Sequence, residues 1–164
     1  MKRIIVVGRS GAGKSEFSRK LNKILGVPIF HLDNIWWKED KTHIERDEFD
    51  KELLKIFSLD SYIIDGDYSR TYEIRFKNSD TVFFLDYPLD ICLKGAESRI
   101  GTKRDDIPWK EEEFDPSFKE FILKWENDAR PKLLELISKY QDKKNIIIFK
   151  SREEANLYLE ELKK

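Results

Sequence analysis

The sequence predicts a three-layer α/β/α fold built on a five-stranded parallel sheet. Three observations lead there. Short β-branched runs alternate along the chain with segments of helical period. The runs are apolar throughout rather than at every second residue, as in strands covered on both faces. The first run passes into the first helical segment through a glycine-rich turn, "GRSGAGKS" at 8–15.

In chain order, "RIIVV" (3–7) is the first strand, and Phe17, Leu21, Ile24 and Leu25 then share one helical face. "VPIFHL" (27–32) is the second strand candidate. Thr42 and Glu45 have the spacing of a capping box and open a helix with Phe49, Leu53, Ile56 and Phe57 on one face. "SYIID" (61–65) and "TVFFLD" (81–86) are the third and fourth strands, and Pro88 suits the first turn of a helix reaching Ile100. The polar stretch 101–115, with Gly101 and Pro108, reads as an exposed loop. A helix follows with Phe118, Ile122, Trp125 and Ala129 on one side; Pro131 starts a new turn or kinks it. "NIIIF" (145–149) is the fifth strand. "SREE" (151–154) is a second capping box, opening a last helix with Ala155, Tyr158, Leu159 and Leu162 inward.

The 164 residues suit one domain, 1–164, large enough to bury one core. With 31 basic and 32 acidic residues the net charge is −1, which argues against a dedicated duplex binder with its basic stripe. Cys92 is the sole cysteine, so no internal disulfide forms, and a buried thiol is expected. The opening "MKRIIVVG" runs straight into the glycine turn rather than to a cleavage site, and no apolar run nears the ~20 residues of a membrane span. A cytoplasmic protein with no membrane partner is expected; its oligomeric state is not legible.

Gly8, Arg9, Ser10, Gly11, Ala12, Gly13, Lys14 and Ser15 satisfy G-x-x-x-x-G-K-[ST], with a strand before and a helix after. The glycines let backbone N–H groups turn inward around oxyanions, and the helix start adds a favourable dipole. Lys14 suits the β- and γ-phosphates of ATP, and the Ser15 hydroxyl suits Mg²⁺. The chain is therefore expected to take a P-loop NTPase fold. Glu16 stands where many such loops carry a second hydroxyl; near phosphates it is expected to turn outward.

An N-K-x-D base-reading motif is missing, which argues against a GTPase. Instead "FHLDNIWW" (30–37) places Asp33 at the end of the second strand, at the carboxyl edge where ligands bind. Asp33 there orients or deprotonates an acceptor hydroxyl, or else caps a helix. Trp36 and Trp37 either stack on a flat acceptor or pack the core. In "IIDGDYSR" (63–70), Asp65 is a candidate to hold magnesium through water, and Gly66 lets an acceptor approach the backbone. Asp67 and Tyr68 are equally readable as turn residues.

Together these pieces resemble the small adenylate-kinase-related proteins known as DNA topology modulation proteins. The matching stretches are "GRSGAGKS", "HLDNIWW", "YIIDGDY", Arg75 before "SDTVFFLDYP", "CLKGAESR", "FILKWENDARP" and "IIIFKSREEANLYL", in family order over nearly the whole chain. The resemblance implies a nucleoside-monophosphate-kinase-like fold with ATP on the phosphate loop, an acceptor-binding insert at 34–60 and a mobile lid at 100–115. It also implies that Arg75 contacts the acceptor phosphate or the transferring group. Arg99 begins the lid and reaches the ATP phosphates, and Arg130 comes in from the following helix. Lys103 and Arg104 are further lid candidates, and Arg152 falls beside the adenine. Positive charge around a transferring phosphoryl group fits these roles; surface ion pairs are the plain alternative. Two departures are Glu16 and the acidic lid, with Asp105, Asp106, Glu111, Glu112 and Glu113.

The leading expectation is a Mg·ATP-dependent kinase acting on a nucleotide or other small acceptor. The alternatives are a nucleotide-binding switch without turnover and a DNA-topology-related regulator.

Overall fold

The computed structural model describes residues 1–164. Five parallel strands form one sheet: β1 (Arg3–Gly8), β2 (Ile29–His31), β3 (Tyr62–Asp65), β4 (Thr81–Leu85) and β5 (Asn145–Phe149), in the order β2-β3-β1-β4-β5. The register is pinned by Val6 opposite Asp65 and Phe83, and by Leu85 opposite Gly8 and Phe149. The carboxyl ends of β1, β3 and β4 thus open on the same edge. No helix is long and apolar enough to cross a membrane.

Alternate residues of each central strand feed opposite layers. Ile5, Val7, Ile64, Val82 and Phe84 join a cluster with α3 (Arg46–Phe57), α4 (Tyr72–Asn78), α6 (Pro116–Asp128) and α7 (Arg130–Tyr140). Ile4, Val6, Ile63, Phe83 and Leu85 join the other, with α1 (Lys14–Leu25), Cys92 of α5 (Leu89–Ser98) and α8 (Arg152–Leu162). The apolar runs are continuous because both faces are covered. Phe49, Leu53, Ile56 and Phe57 of α3, and Ile122, Trp125 and Ala129 beside α6, are buried as their spacing predicts.

Four local expectations change. The second strand holds three residues, and Leu32–Trp36 form a short helix, α2, so Asp33 sits in a first helical turn rather than at a strand end. The Thr42–Glu45 box does not form: Glu45 occupies the cap position without a side-chain bond, and the Thr42 hydroxyl donates to Asp40 Oδ1 instead. Pro88 precedes α5 rather than lying in its first turn, and the helix ends at Ser98. The 101–115 stretch carries no helix or strand, yet Asp106 and Ile107 within it are buried. By contrast, the Ser151 hydroxyl accepts from the Glu154 amide at 3.2 Å, and Glu154 Oε2 accepts from the Lys150 amide at 2.7 Å. Pro131 stands at the start of α7, so it opens a new helix.

Candidate active site

One cleft of about 2280 Å³ opens over the sheet's carboxyl edge, roomy enough for a nucleotide and an acceptor together. The phosphate loop forms its floor. Gly11 has φ +86, and a Cβ there would lie 1.9 Å from the Cys92 carbonyl oxygen, so only glycine lets the loop pass this close to α5. Ser10, Gly11, Gly13, Lys14 and Ser15 line the cleft. Gly8 and Ala12 do not; they shape the turn, Ala12 being buried and Gly8 packed on Leu85. Glu16 is exposed and pairs with Lys20 at 2.9 Å, turned along its own helix as expected.

Lys14 Nζ donates to the Arg9 carbonyl at 3.1 Å and enters no ion pair. Burial pushes its ammonium below the usual range, against the pull of Asp67, Asp33 and Asp65. Arg99, at the end of α5, lines the same cleft, again without an ion-pair partner, and its buried Nε has no hydrogen-bond acceptor. Burial and the neighbouring Arg104 both weigh against its charge. Two cations without ion-pair partners beside a phosphate loop suit the binding of an anionic group. Arg152 Nη2 donates to the Gly11 carbonyl at 3.0 Å and lines the cleft from the start of α8.

The other half of the cleft is lined from β2–α2 and the turn after β3. Asp33 Oδ1 accepts from the Tyr68 hydroxyl at 2.6 Å, and burial raises its pKa above the usual carboxylate range. Trp36 spends one face on His43, with ring centroids 4.4 Å apart, and meets Phe49 and Tyr68 edge-on; the packing alternative thus accounts for much of it. Trp37 meets Trp109 edge-on at 5.4 Å, and both line the cleft. Gly66 borders the cleft too, but it has φ +141 and a Cβ there would lie 2.8 Å from Leu32 Cβ, so its conformation and packing on the Leu32 side chain already favour glycine.

Two arginines lie elsewhere than expected. Arg75 is fully buried and does not reach the cleft: Nη1 donates to the Gly66 carbonyl at 3.0 Å, Nη2 to the carbonyls of Asp67 and Tyr68, and Nε to Thr71 Oγ1 at 3.0 Å. It organises the turn that carries Tyr68, and contact with an acceptor does not fit this placement. Arg130 makes a bidentate pair with Asp86 at 3.0 and 2.9 Å and does not line the cleft; this is a fork–fork contact between α7 and the end of β4.

Several contacts in and beside the cleft are not foreseen in the sequence. His31 Nδ1 lies 2.6 Å from Asp65 Oδ2. Burial works against charge on His31, but Asp65 outweighs it and raises the His31 pKa. Asp67 is buried and accepts from Tyr72 Oη and Trp125 Nε1. Arg46, exposed at the start of α3, lines the acceptor half without an ion-pair partner. The 101–115 stretch lies over the phosphate loop: Ser15 Oγ donates to Asp106 Oδ2 at 2.8 Å, Arg19 binds Asp105 at 2.7 Å, and Asn34 Nδ2 donates to the Asp105 carbonyl at 2.6 Å. The helical spacing of a motif gives no signal for such contacts, which join residues up to 91 positions apart.

No group of three or more His, Cys, Asp or Glu side chains forms a metal cage. A magnesium ion does not require one: it keeps several waters and binds through one or two protein oxygens plus substrate phosphates. Ser15, with the carboxylates near it, fits that pattern.

No family model matches the chain, and no curated protein sequence does. Solved structures do. The chain is similar to shikimate kinase from Bacteroides thetaiotaomicron, at 17% identity and TM-score 0.56 over 98% of this chain and 95% of that one. It is similar to deoxyadenosine kinase from M. mycoides with bound dATP, at 15% identity and TM-score 0.53 over 100% of both chains. It is also similar to a sugar kinase from Janibacter sp. HTCC2649, at 14% identity and TM-score 0.56 over 99% of this chain and 90% of that one. At this level of identity the likeness concerns architecture, and with the five-stranded parallel sheet it establishes that the chain has the fold of the P-loop kinases.

Proposed function

We propose that the protein is a Mg·ATP-dependent phosphotransferase that moves the γ-phosphate of ATP to a small acceptor held beside Asp33. The observation that carries this reading is that Lys14 and Arg99, two cations without ion-pair partners, line one cleft together with a half-buried carboxylate, Asp33. A carboxylate held by Tyr68 in an aromatic half-pocket suits an acceptor hydroxyl.

In this reading the loop amides, Lys14 and Arg152 bind the nucleotide, and Ser15 holds magnesium with Asp65 acting through water. Magnesium, when bound, neutralises charge on the phosphates. Asp33 orients the acceptor and takes its proton, and Arg99 draws charge from the transferring group. Trp36, Trp37 and Arg46 border the acceptor. The 34–60 segment acts as the acceptor wall and 100–115 as a lid that excludes water. The sequence resemblance further places the protein beside the DNA topology modulation proteins, as an adenylate-kinase-related member of the kinase group.

The test is ADP release from Mg·ATP across a panel of nucleosides, nucleoside monophosphates and hydroxylated metabolites. One acceptor class should stimulate release in the unaltered protein and fail to do so in Asp33→Asn. Lys14→Ala should weaken ATP binding about 100-fold, as expected for losing a charge-assisted contact worth about 2.7 kcal/mol. Retained ATP affinity in Lys14→Ala would overturn the site assignment; ATP binding with no stimulation by any acceptor would overturn the transfer reaction.

A further inference from the structure

We propose that the lid brings its own carboxylate to the metal: Asp106, held by Arg104 against Ser15, is a magnesium-positioning residue. The inference rests on the nucleotide half of the reading above and needs no acceptor.

The geometry is specific. Asp106 Oδ2 accepts from Ser15 Oγ at 2.8 Å, and Ser15 is the hydroxyl that the phosphate-loop pattern assigns to magnesium. Two oxygens on adjacent corners of a magnesium octahedron, with bonds of about 2.1 Å, lie about 2.9 Å apart. The two oxygens are thus already spaced as neighbours in one metal shell. Arg104 fixes the carboxylate in place: Nε donates to Oδ1 at 3.0 Å and Nη2 to Oδ2 at 2.6 Å. A bidentate pair of this kind sets orientation as well as energy. Asp65, the acid singled out in the sequence, has one oxygen engaged by His31 at 2.6 Å and keeps only its water-mediated role, so a direct carboxylate ligand must come from elsewhere.

Charge points the same way. Asp106 is 4% exposed, and its one ion-pair partner, Arg104, is shared with Glu111 at 3.1 Å. Asp105 beside it is paired with Arg19. A polyphosphate entering under this carboxylate would meet like charge at close range, and a divalent cation between them reverses the sign of that contact. A carboxylate that merely latched the empty lid would have to leave before Mg·ATP could enter, so the two roles predict opposite effects of removing it.

By linkage, a metal that binds through a lid residue also holds the lid shut. Mn²⁺ binding to the complex of the protein with a non-hydrolysable ATP analogue, followed by the loss of the free-ion paramagnetic resonance signal, tests the first half. Amide hydrogen exchange over 101–115, with the analogue alone and with added magnesium, tests the second. Asp106→Asn should weaken Mn²⁺ about tenfold or more, the usual cost of losing a metal-orienting group. It should also abolish the extra protection that magnesium gives the lid, while metal-free analogue binding is not weakened, since the like charge facing the phosphates is gone. Asp105→Asn removes the same charge one residue away, and with it the Arg19 pair that helps seat the lid, but should leave Mn²⁺ binding unchanged. Unchanged or tighter Mn²⁺ binding in Asp106→Asn would overturn the proposal and leave the nucleotide site standing. A drop shared equally by Asp105→Asn would reduce it to a general charge effect and overturn it too. Failure of the unaltered protein to bind the analogue at all would overturn the nucleotide site itself.

Discussion

Replacing Arg75 by methionine separates a structural arginine from a substrate-binding one. Methionine keeps much of the buried volume, so the cavity term is small. What disappears is a guanidinium that serves four acceptors around the 66–71 turn. Tyr68 O retains donors from Thr71, but the Gly66 and Asp67 carbonyls have no other partner. Two orphaned buried carbonyls cost about 1–3 kcal/mol each. Losing the buried charge also removes its desolvation cost, which offsets part of this and leaves about 2–4 kcal/mol. For a chain of this length that amounts to a fall in Tm of roughly 10 °C. Calorimetry or urea unfolding reads it directly. Because the same turn carries Tyr68, acceptor kinetics should worsen alongside stability and not in its place. An Arg75→Met protein that melts within about 2 °C of the unaltered one, but has a selectively raised acceptor KM, would refute this reasoning and restore Arg75 to the substrate.

Other outcomes follow from the same contacts. Gly95→Ala should destabilise the protein and weaken nucleotide binding, although alanine in a helix normally gains about 1 kcal/mol, because its Cβ would lie 2.1 Å from the Gly11 carbonyl oxygen; thermal melts and ATP titration check both. If Asp33 accepts the acceptor's proton it must be ionised, and burial raises its pKa, so kcat should fall on the acid side at a pH above the ordinary carboxylate value of about 4, with that limb missing from Asp33→Asn. Asp106 has its pKa held down at about 2, where the pull of Arg104 and Ser15 overcomes burial. Its contribution to stability is therefore present above pH ~4 and lost as pH falls toward 2. The stability gap between Asp106→Asn and the unaltered protein, read by urea unfolding, should accordingly narrow over that window.

The legible parts of this fold are those written locally. The phosphate loop is contiguous, and its glycines are forced by contacts one helix away. The Val- and Ile-rich runs show that both faces are covered, and Ser151 with Glu154 needs only three residues of spacing. Asp33 was legible as a carboxylate at the carboxyl edge of the sheet but not as a residue of a first helical turn, because a three-residue strand leaves too short a pattern to mark its end. Arg75 was misleading for a different reason. A charged residue near a site motif resembles a ligand-binding group, and only the folded turn reveals backbone carbonyls converging on it. His31–Asp65 and Ser15–Asp106 are pairings across the chain, with no periodicity to betray them. The lid's acidic composition correctly announced a loop, but its exposure was overread: Arg104 offsets the charge of Asp106 and allows it to be buried.

The close passage of Gly11 against α5 has a mechanical consequence. The loop touches the helix backbone at Cys92 and Gly95, with no side chain between to act as a cushion. The same helix ends at Ser98, where the lid begins. If the proposed function holds, any shift of the loop on binding phosphate would be passed to a helix whose far end meets the 101–115 stretch. Floor and roof of the cleft would then be linked through about one turn and a half of helix, without the nucleotide bridging them.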